Sequence, residues 1–249
     1  MVRRVIKQLQ ANIGEMFASF IFGFAVFTSI IASTQTGQAA APVIVALTVA
    51  FSGLAVIYSF CDICLAHFNP AITFAAICLG KLGILKGICF IIFQIIGFII
   101  AGLCSVACLP GKYRNKLDIA RPKRVSDDVD RGNIFATEIF LTAILVYVAF
   151  AVGVNPYSPP KDEQGDQLDP DEQLTEGRKT TAPLAIGFTL GFCALIGLGS
   201  SGGAFNPGIV LSPMILSGIW DNWYIYLLAQ FAGGILGGSL QSLILYKLF

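Results

Sequence analysis

The chain has 249 residues, 55% of them hydrophobic and only 12% charged, with a formal net charge of +1. A soluble domain carries about 25% charged residues. Half that share means that lipid solvates most of the surface, and the near-neutral balance leaves no basic footprint for nucleic acid.

Arg3, Arg4 and Lys7 precede the first apolar stretch, Ile13–Ala32. That stretch is too long for a signal-peptide core and lacks a clear cleavage site, so it reads as a first transmembrane helix. A span needs about 20 apolar residues. Val43–Ile63, Ile84–Pro110, Ile134–Val154, Ala182–Leu198 and Trp223–Leu248 meet that need as well, giving six spans. Two further apolar runs, Pro70–Leu79 and Pro207–Leu216, are too short. As helices of about 10 residues they reach about 15 Å, half a bilayer. Each is headed by the same dipeptide, Asn69-Pro70 and Asn206-Pro207.

The halves also repeat. Glu15-Met-Phe-Ala-Ser19 opens the first span, and Glu138-Ile-Phe-Leu-Thr142 sits at the matching place in the fourth. Each half then reads span, span, Asn-Pro half-span, span. Residues 8–110 form the first repeat with a half-helix over 69–80, and residues 132–249 the second with a half-helix over 206–218. An odd number of spans per half inserts the second half upside down. The expectation is an all-α membrane protein of one domain: six transmembrane helices plus two re-entrant half-helices in an inverted repeat.

The basic amino terminus, with Lys81 and Lys86 on the same side, places both termini in the cytoplasm. The connector Gly111–Asn133 conflicts with this. It carries seven Lys/Arg against four Asp, yet the span count puts it outside. The connector 155–181 falls inside, is acidic and rich in proline, and has no periodic apolar face. Asp162, Asp166, Asp169 and Asp171 loosely suggest a divalent cation but miss the EF-hand spacing, so a solvated loop is the better reading. Such a loop lies on the side of Asn69 and could cover a pore mouth there.

No cofactor or metal is expected. The seven cysteines lie mostly in apolar stretches as small hydrophobes. Cys61-Asp-Ile-Cys64 has no second pair to complete a zinc site. There is no Ser/His/Asp set and no phosphate loop, and His67, the single histidine, has no partner in sequence, so an enzyme has little support.

Non-helical backbone at membrane depth is tolerated only against protein or a water-filled cavity. Asn is a preferred N-cap and Pro suits the first helical position. With Asn69 and Asn206 as N-caps, each side-chain carbonyl caps a backbone N–H and each amide NH₂ is left to point outward. Two amide donors at two helix N-termini would orient a passing oxygen atom and repel cations with their dipoles. An Asn-Pro can also merely begin a turn. Two copies heading two half-length segments favour the pore: passage of small neutral hydroxylic molecules, with ions rejected.

These residues resemble the aquaporin, or major intrinsic protein, family, over nearly the whole chain. His67-x-Asn69-Pro70-Ala71-Ile72-Thr73 is similar to the first family signature, and Gly202-Gly203-x-x-Asn206-Pro207-Gly208, with Pro213 beyond, to the second. Glu15 and Glu138 match glutamates that support the re-entrant loops in that family, and Ala182–Phe188 resembles its start of helix five. The resemblance implies a homotetramer with one pore per subunit in the plasma membrane, passing water and, in some members, glycerol.

The departures bear on selectivity. Gly208 stands where the second motif usually has Ala, which costs roughly 1 kcal/mol of helix propensity and removes a methyl. Ile209 stands where the family usually has Arg, and Val210 where glycerol-selective members have Asp. The other constriction positions align with Val49 and with Ala194, or with Phe192 if the loop carries an insertion, and the carbonyls of Gly202 and Gly203 complete the ring. The acidic inner connector is longer than is usual. His67 aligns with a residue at the cytoplasmic pore mouth; a hydrogen-bonded structural role is favoured over a pH gate. The expectations are a water channel, alternatively a glycerol or small-solute facilitator with a wide apolar constriction, or a closed structural member of the family.

Overall fold

The computed structural model describes residues 2–154 and 171–245, and every regular element among them is helical. In chain order these are α1 (Val2–Gln35), α2 (Ala41–Phe60), α3 (Pro70–Cys78), α4 (Ile84–Cys108), α5 (Tyr113–Ala120), α6 (Arg131–Ala149), α7 (Asp171–Gly197), α8 (Pro207–Ser217) and α9 (Trp223–Ser239). The helices α6 and α9 each run on into a wider π-helical turn, Phe150–Val154 and Leu240–Leu245. Residues 155–170, with Asp162, Asp166 and Asp169, lie outside the described residues.

Five helices are long and apolar enough to cross a membrane: Val5–Gln35, Ala41–Phe60, Ile84–Cys108, Arg131–Val154 and Trp223–Leu245. The sixth crossing is α7. Its apolar part is only Thr181–Gly197, but the helix begins at Asp171, within the segment expected to be an irregular connector. Pro183 lies inside this helix. A proline there reads equally as a first-turn residue, which is why the sequence suggests a start near Ala182. The half-length runs form the short helices α3 and α8, held between the long ones, and the fold is the six-helix inverted repeat with two half-helices.

Helix pairs make each half. The first crossing, α1 on α4, is closest at Gly97, where a Cβ would overlap the Met16 carbonyl. The second, α6 on α9, is tight at Gly233 and Gly237, where a Cβ would overlap the Ile139 and Ala143 carbonyls. Only glycine lets two backbones approach so closely, and in lipid such contacts are a main source of helix association. Between the halves, α2 packs on α7, with Gly187 against Leu54 and Gly191 against Ala50. Phe51, Phe140, Phe188 and Leu228 stand outward on the perimeter, where the solvent is lipid.

The basic connector has an internal use that its charge count conceals. The buried Lys116 on α5 donates to the carbonyls of Val106 and Leu109, at 2.6 Å for the latter, and so satisfies the C-terminal end of α4. Arg121 pairs with Asp118 and Asp221, and Arg124 with Asp127. These cations are committed to local partners, so a bare Lys/Arg count overstates the charge that could orient the chain.

Gly233→Val should force the α6–α9 crossing apart. The expected result is a loss of about 1–3 kcal/mol, read as a lower thermal unfolding midpoint of the detergent-solubilised protein than for a substitution at the exposed Leu228.

Candidate functional site

The first half builds its loop from Cys61 to Asn69, which returns the chain to mid-depth before α3. The strand of backbone there has no sheet to join, so each polar group needs its own partner. The buried Glu15 carboxylate supplies two: it accepts from His67 N at 3.1 Å and Phe68 N at 3.0 Å. Gln94 of α4 donates to the same carboxylate at 2.7 Å. The second half repeats this. Glu138 accepts from Ala204 N at 3.0 Å, Phe205 N at 2.7 Å, the Ser201 hydroxyl at 2.5 Å and Gln230 Nε2 at 2.7 Å.

Phe68 and Phe205 both adopt left-handed backbone, at φ 32° and 33°. For a bulky residue this is strained by about 1–2 kcal/mol. The strain turns each carbonyl toward the opposite half. Asn69 Nδ2 donates to Phe205 O at 3.0 Å, and Asn206 Nδ2 donates to Phe68 O at 2.9 Å. Both asparagines are N-caps in extended backbone, their Oδ1 atoms accepting from Ala71 N and Gly208 N at 2.9 Å. The amide NH₂ is therefore not wholly free, as the sequence alone suggested. One hydrogen of each cross-links the halves, and the second has no partner among the described residues.

The two halves differ around this shared frame. In the first, Thr73 bridges His67 Nδ1, at 3.1 Å, and Gln94. In the second, the position four residues after the asparagine is Val210, and the Gln230 Oε1 oxygen is buried without a partner. His67 is thus tied into the loop's support. Gly208 has a packing cause: a Cβ there would run into the Phe98 ring of α4. The methyl missing from the second motif is replaced by an aromatic edge, so no void is left. At the matching contact of α3, Gly234 of α9 lies against the Ala71 backbone carbonyl and the Ala75 methyl, with no ring in that place.

Of the constriction candidates, Val49, Ala194 and Ile209 are buried, facing inward from α2, α7 and α8. Phe192 is 43% exposed and shares the outer face of α7 with Phe188, Leu195 and Ile196. The ungapped alignment at Ala194 therefore fits the inward face, and Phe192 does not. Gly202 and Gly203 have φ of 90° and 62°, a backbone that favours glycine. Among the described residues no group of His, Cys, Asp or Glu could hold a metal ion.

Sequence reasoning did not single out Gln94, Gln230, Thr73, Phe98, Ser201 or Tyr226. The signal was present for the first two: a glutamine inside an otherwise apolar span, at the matching place in the last span of each half. Uncharged or not, such a group in lipid must find a partner.

A profile of the major intrinsic protein family matches residues 2–241. A protein of Vairimorpha ceranae (strain BRL01) named Aquaporin is 75% identical over 249 residues, all of both chains. One of Encephalitozoon cuniculi (strain GB-M1), also named Aquaporin, is 55% identical, covering 100% of this chain and 99% of that protein. Aquaporin-B of Dictyostelium discoideum is 34% identical over 94% of this chain and 82% of its own length. Among solved structures, the aquaglyceroporin from Plasmodium falciparum superposes with a TM-score of 0.73 over 96% of this chain and 98% of that one. Its sequence is 18% identical, so it speaks to the fold.

Gly208→Ala should destabilise the protein by about 1–3 kcal/mol through overpacking on Phe98. Combined with Phe98→Ala it should cost less than the sum of the single changes. A double-mutant cycle on thermal midpoints checks this, with a coupling of about 1–3 kcal/mol expected for residues in direct contact.

Proposed function

The chain belongs to the major intrinsic protein family, a family of membrane channels and not of enzymes, and from that premise we propose that it is a passive pore for water that also admits small neutral solutes such as glycerol. It is an integral, multi-pass membrane protein. The observation that supports the reading is the pair of asparagine amides held 2.9–3.0 Å from the opposite loop's carbonyl. Each keeps one N–H for a solute oxygen, at the positive end of a short helix. A hydroxyl or water oxygen gains two donors there, while a cation meets two positive ends and loses hydration.

The selectivity follows from what surrounds that point. Val49, Ala194 and Ile209 give the outer constriction small or medium apolar walls without charge. Loop carbonyls at Gly202 and Gly203 are its acceptors. Small walls leave width for a polyol carbon chain, and the carbonyls line one side for its hydroxyls. The exposed apolar faces of α2 and α7, including Val43, Leu47 and Phe188, suit lipid or a second copy. In this reading the protein is a homotetramer in the plasma membrane with one pore per subunit. Both termini are cytoplasmic, as the basic residues Arg3 and Lys7 favour.

Stopped-flow light scattering of proteoliposomes, against matched empty vesicles, tests the reading directly. Water and glycerol should both enter faster than by bare lipid. Ile209→Arg should lower glycerol entry about tenfold or more while water entry persists, since a guanidinium fills the ring and fixes its donors. Absence of both fluxes in folded protein would sink the open-channel reading and favour a closed member of the family.

A further inference from the structure

The loop from Leu198 to Phe205 carries Gly202 and Gly203, and it is restrained from two directions. From inside the bundle, Tyr226 donates its hydroxyl to Ser201 O at 2.5 Å, Thr137 donates to the Ser200 hydroxyl at 3.0 Å, and Glu138 holds Ala204 and Phe205. From outside, the irregular chain between α5 and α6 lies across the loop as a strap. Val125 N donates to Ser200 O at 3.0 Å. A Cβ on Gly202 would stand 3.0 Å from Lys123 O and 3.6 Å from Pro122 Cα, so glycine is needed for the strap to lie that close.

The strap has few bonds of its own, Arg124 to Asp127 at 2.9 Å and Val129 N to Ser126 O at 3.3 Å. Its anchor is Arg121, whose side chain is only 8% exposed. Its Nη2 and Nε donate to Asp118 Oδ1 at 2.8 and 3.3 Å, and its Nη1 donates to Asp221 Oδ2 at 2.9 Å. Asp118 belongs to α5 and Asp221 to the turn between α8 and α9. One planar guanidinium thus joins the helix before the strap, the strap itself and the turn that follows the second half-helix. A guanidinium can do this because its donors are set in a rigid fork, where an ammonium would be a point charge. The bridge, the strap, the start of α6 and Trp220 line an open cleft of about 670 Å³. If the bridge opens, the strap has room to shift toward this cleft.

We propose that Arg121 is a positioning residue for the constriction: by clamping the strap onto the Ser200–Gly203 loop it fixes how far the Gly202 and Gly203 carbonyls stand from Ile209, and so sets the cut-off between water and larger polyols. This rests on the channel reading above. Ile209 offers no polar group that could hold those carbonyls from within the pore, so the strap adds an outer restraint to the bonds from Tyr226, Thr137 and Glu138.

The test compares Arg121→Ala and Asp221→Asn with Arg124→Gln, which removes a charge from the same strap without touching the bridge. Each full-length protein is reconstituted, and water, glycerol and erythritol entry are measured on one preparation. Amide hydrogen exchange is followed over residues 199–203. Arg121→Ala should raise the glycerol-to-water permeability ratio by about three- to tenfold and speed exchange at these amides by about tenfold. Asp221→Asn should act in the same direction with a smaller effect, and Arg124→Gln should leave both unchanged. If Arg121→Ala does not reconstitute, Asp221→Asn decides, because its side chain is 66% exposed and its loss leaves the Asp118 contact in place. A lowered melting midpoint with unchanged ratio and exchange would make the bridge purely structural and overturn the proposal. Should the native protein pass neither solute, the channel reading fails by itself, and unchanged exchange in Arg121→Ala would then overturn the clamp independently.

Discussion

Everything at the centre depends on satisfying irregular backbone at membrane depth. Two loops reach mid-depth with peptide groups that no helix can pair, and lipid offers no replacement. The solution is a buried carboxylate beneath each loop and an asparagine opposite each. Glu15 and Glu138 take the N–H groups of the residues leading into the asparagines. Asn69 and Asn206 take the carbonyls that result, each from the other loop. Left-handed Phe68 and Phe205 are the link between these two sets of bonds. An unmade buried hydrogen bond costs about 1–3 kcal/mol, so the strain at each phenylalanine is offset by the bonds it permits. The same bonds that stabilise the fold also aim the remaining asparagine N–H groups.

The halves share this frame and differ where side chains fill it. Thr73 completes a polar chain from His67 to Gln94 in the first half. Val210 leaves the Gln230 oxygen without a partner in the second. Gly208 makes room for the Phe98 ring, whereas at the matching contact of α3 Gly234 lies against the Ala71 backbone carbonyl. The departure at Gly208, which in isolation looks like a loss of packing, is filled by an aromatic ring from α4.

The long apolar runs, the two half-length runs and the Asn-Pro heads were legible in the sequence, because each follows from hydropathy and from local helix-start chemistry. Glu15 and Glu138 were legible as an acidic residue repeated at one place in an apolar span. What stayed hidden depends on contacts distant in sequence. No local pattern joins Phe98 to Gly208, or Arg121 to Asp221. The start of α7 was hidden for a different reason: Pro183 imitates a first-turn residue while the helix already runs through it. The choice between Ala194 and Phe192 was a question of helical phase over a loop of uncertain length; in the fold Ala194 is buried and Phe192 lies on the outer face.

In the channel reading, an apolar ring of Val49, Ala194 and Ile209 changes where ions are stopped. Arg121, a buried cation at the strap, is matched by Asp118 and Asp221, one of them well exposed, so little of its field extends beyond the bridge. In the channel reading the barrier therefore falls on the midplane. There two short helices, α3 and α8, point N-termini at one another, each equivalent to about half a positive charge. Both asparagines are donors there, and the loop carbonyls beside them are already bonded. A water molecule at this point has its oxygen held by donors and cannot accept a proton from the next water while it is so held. A cation finds no free acceptor to replace its hydration shell. Rejection of charge then needs no arginine, and the apolar ring is left to decide only the size and shape of neutral solutes.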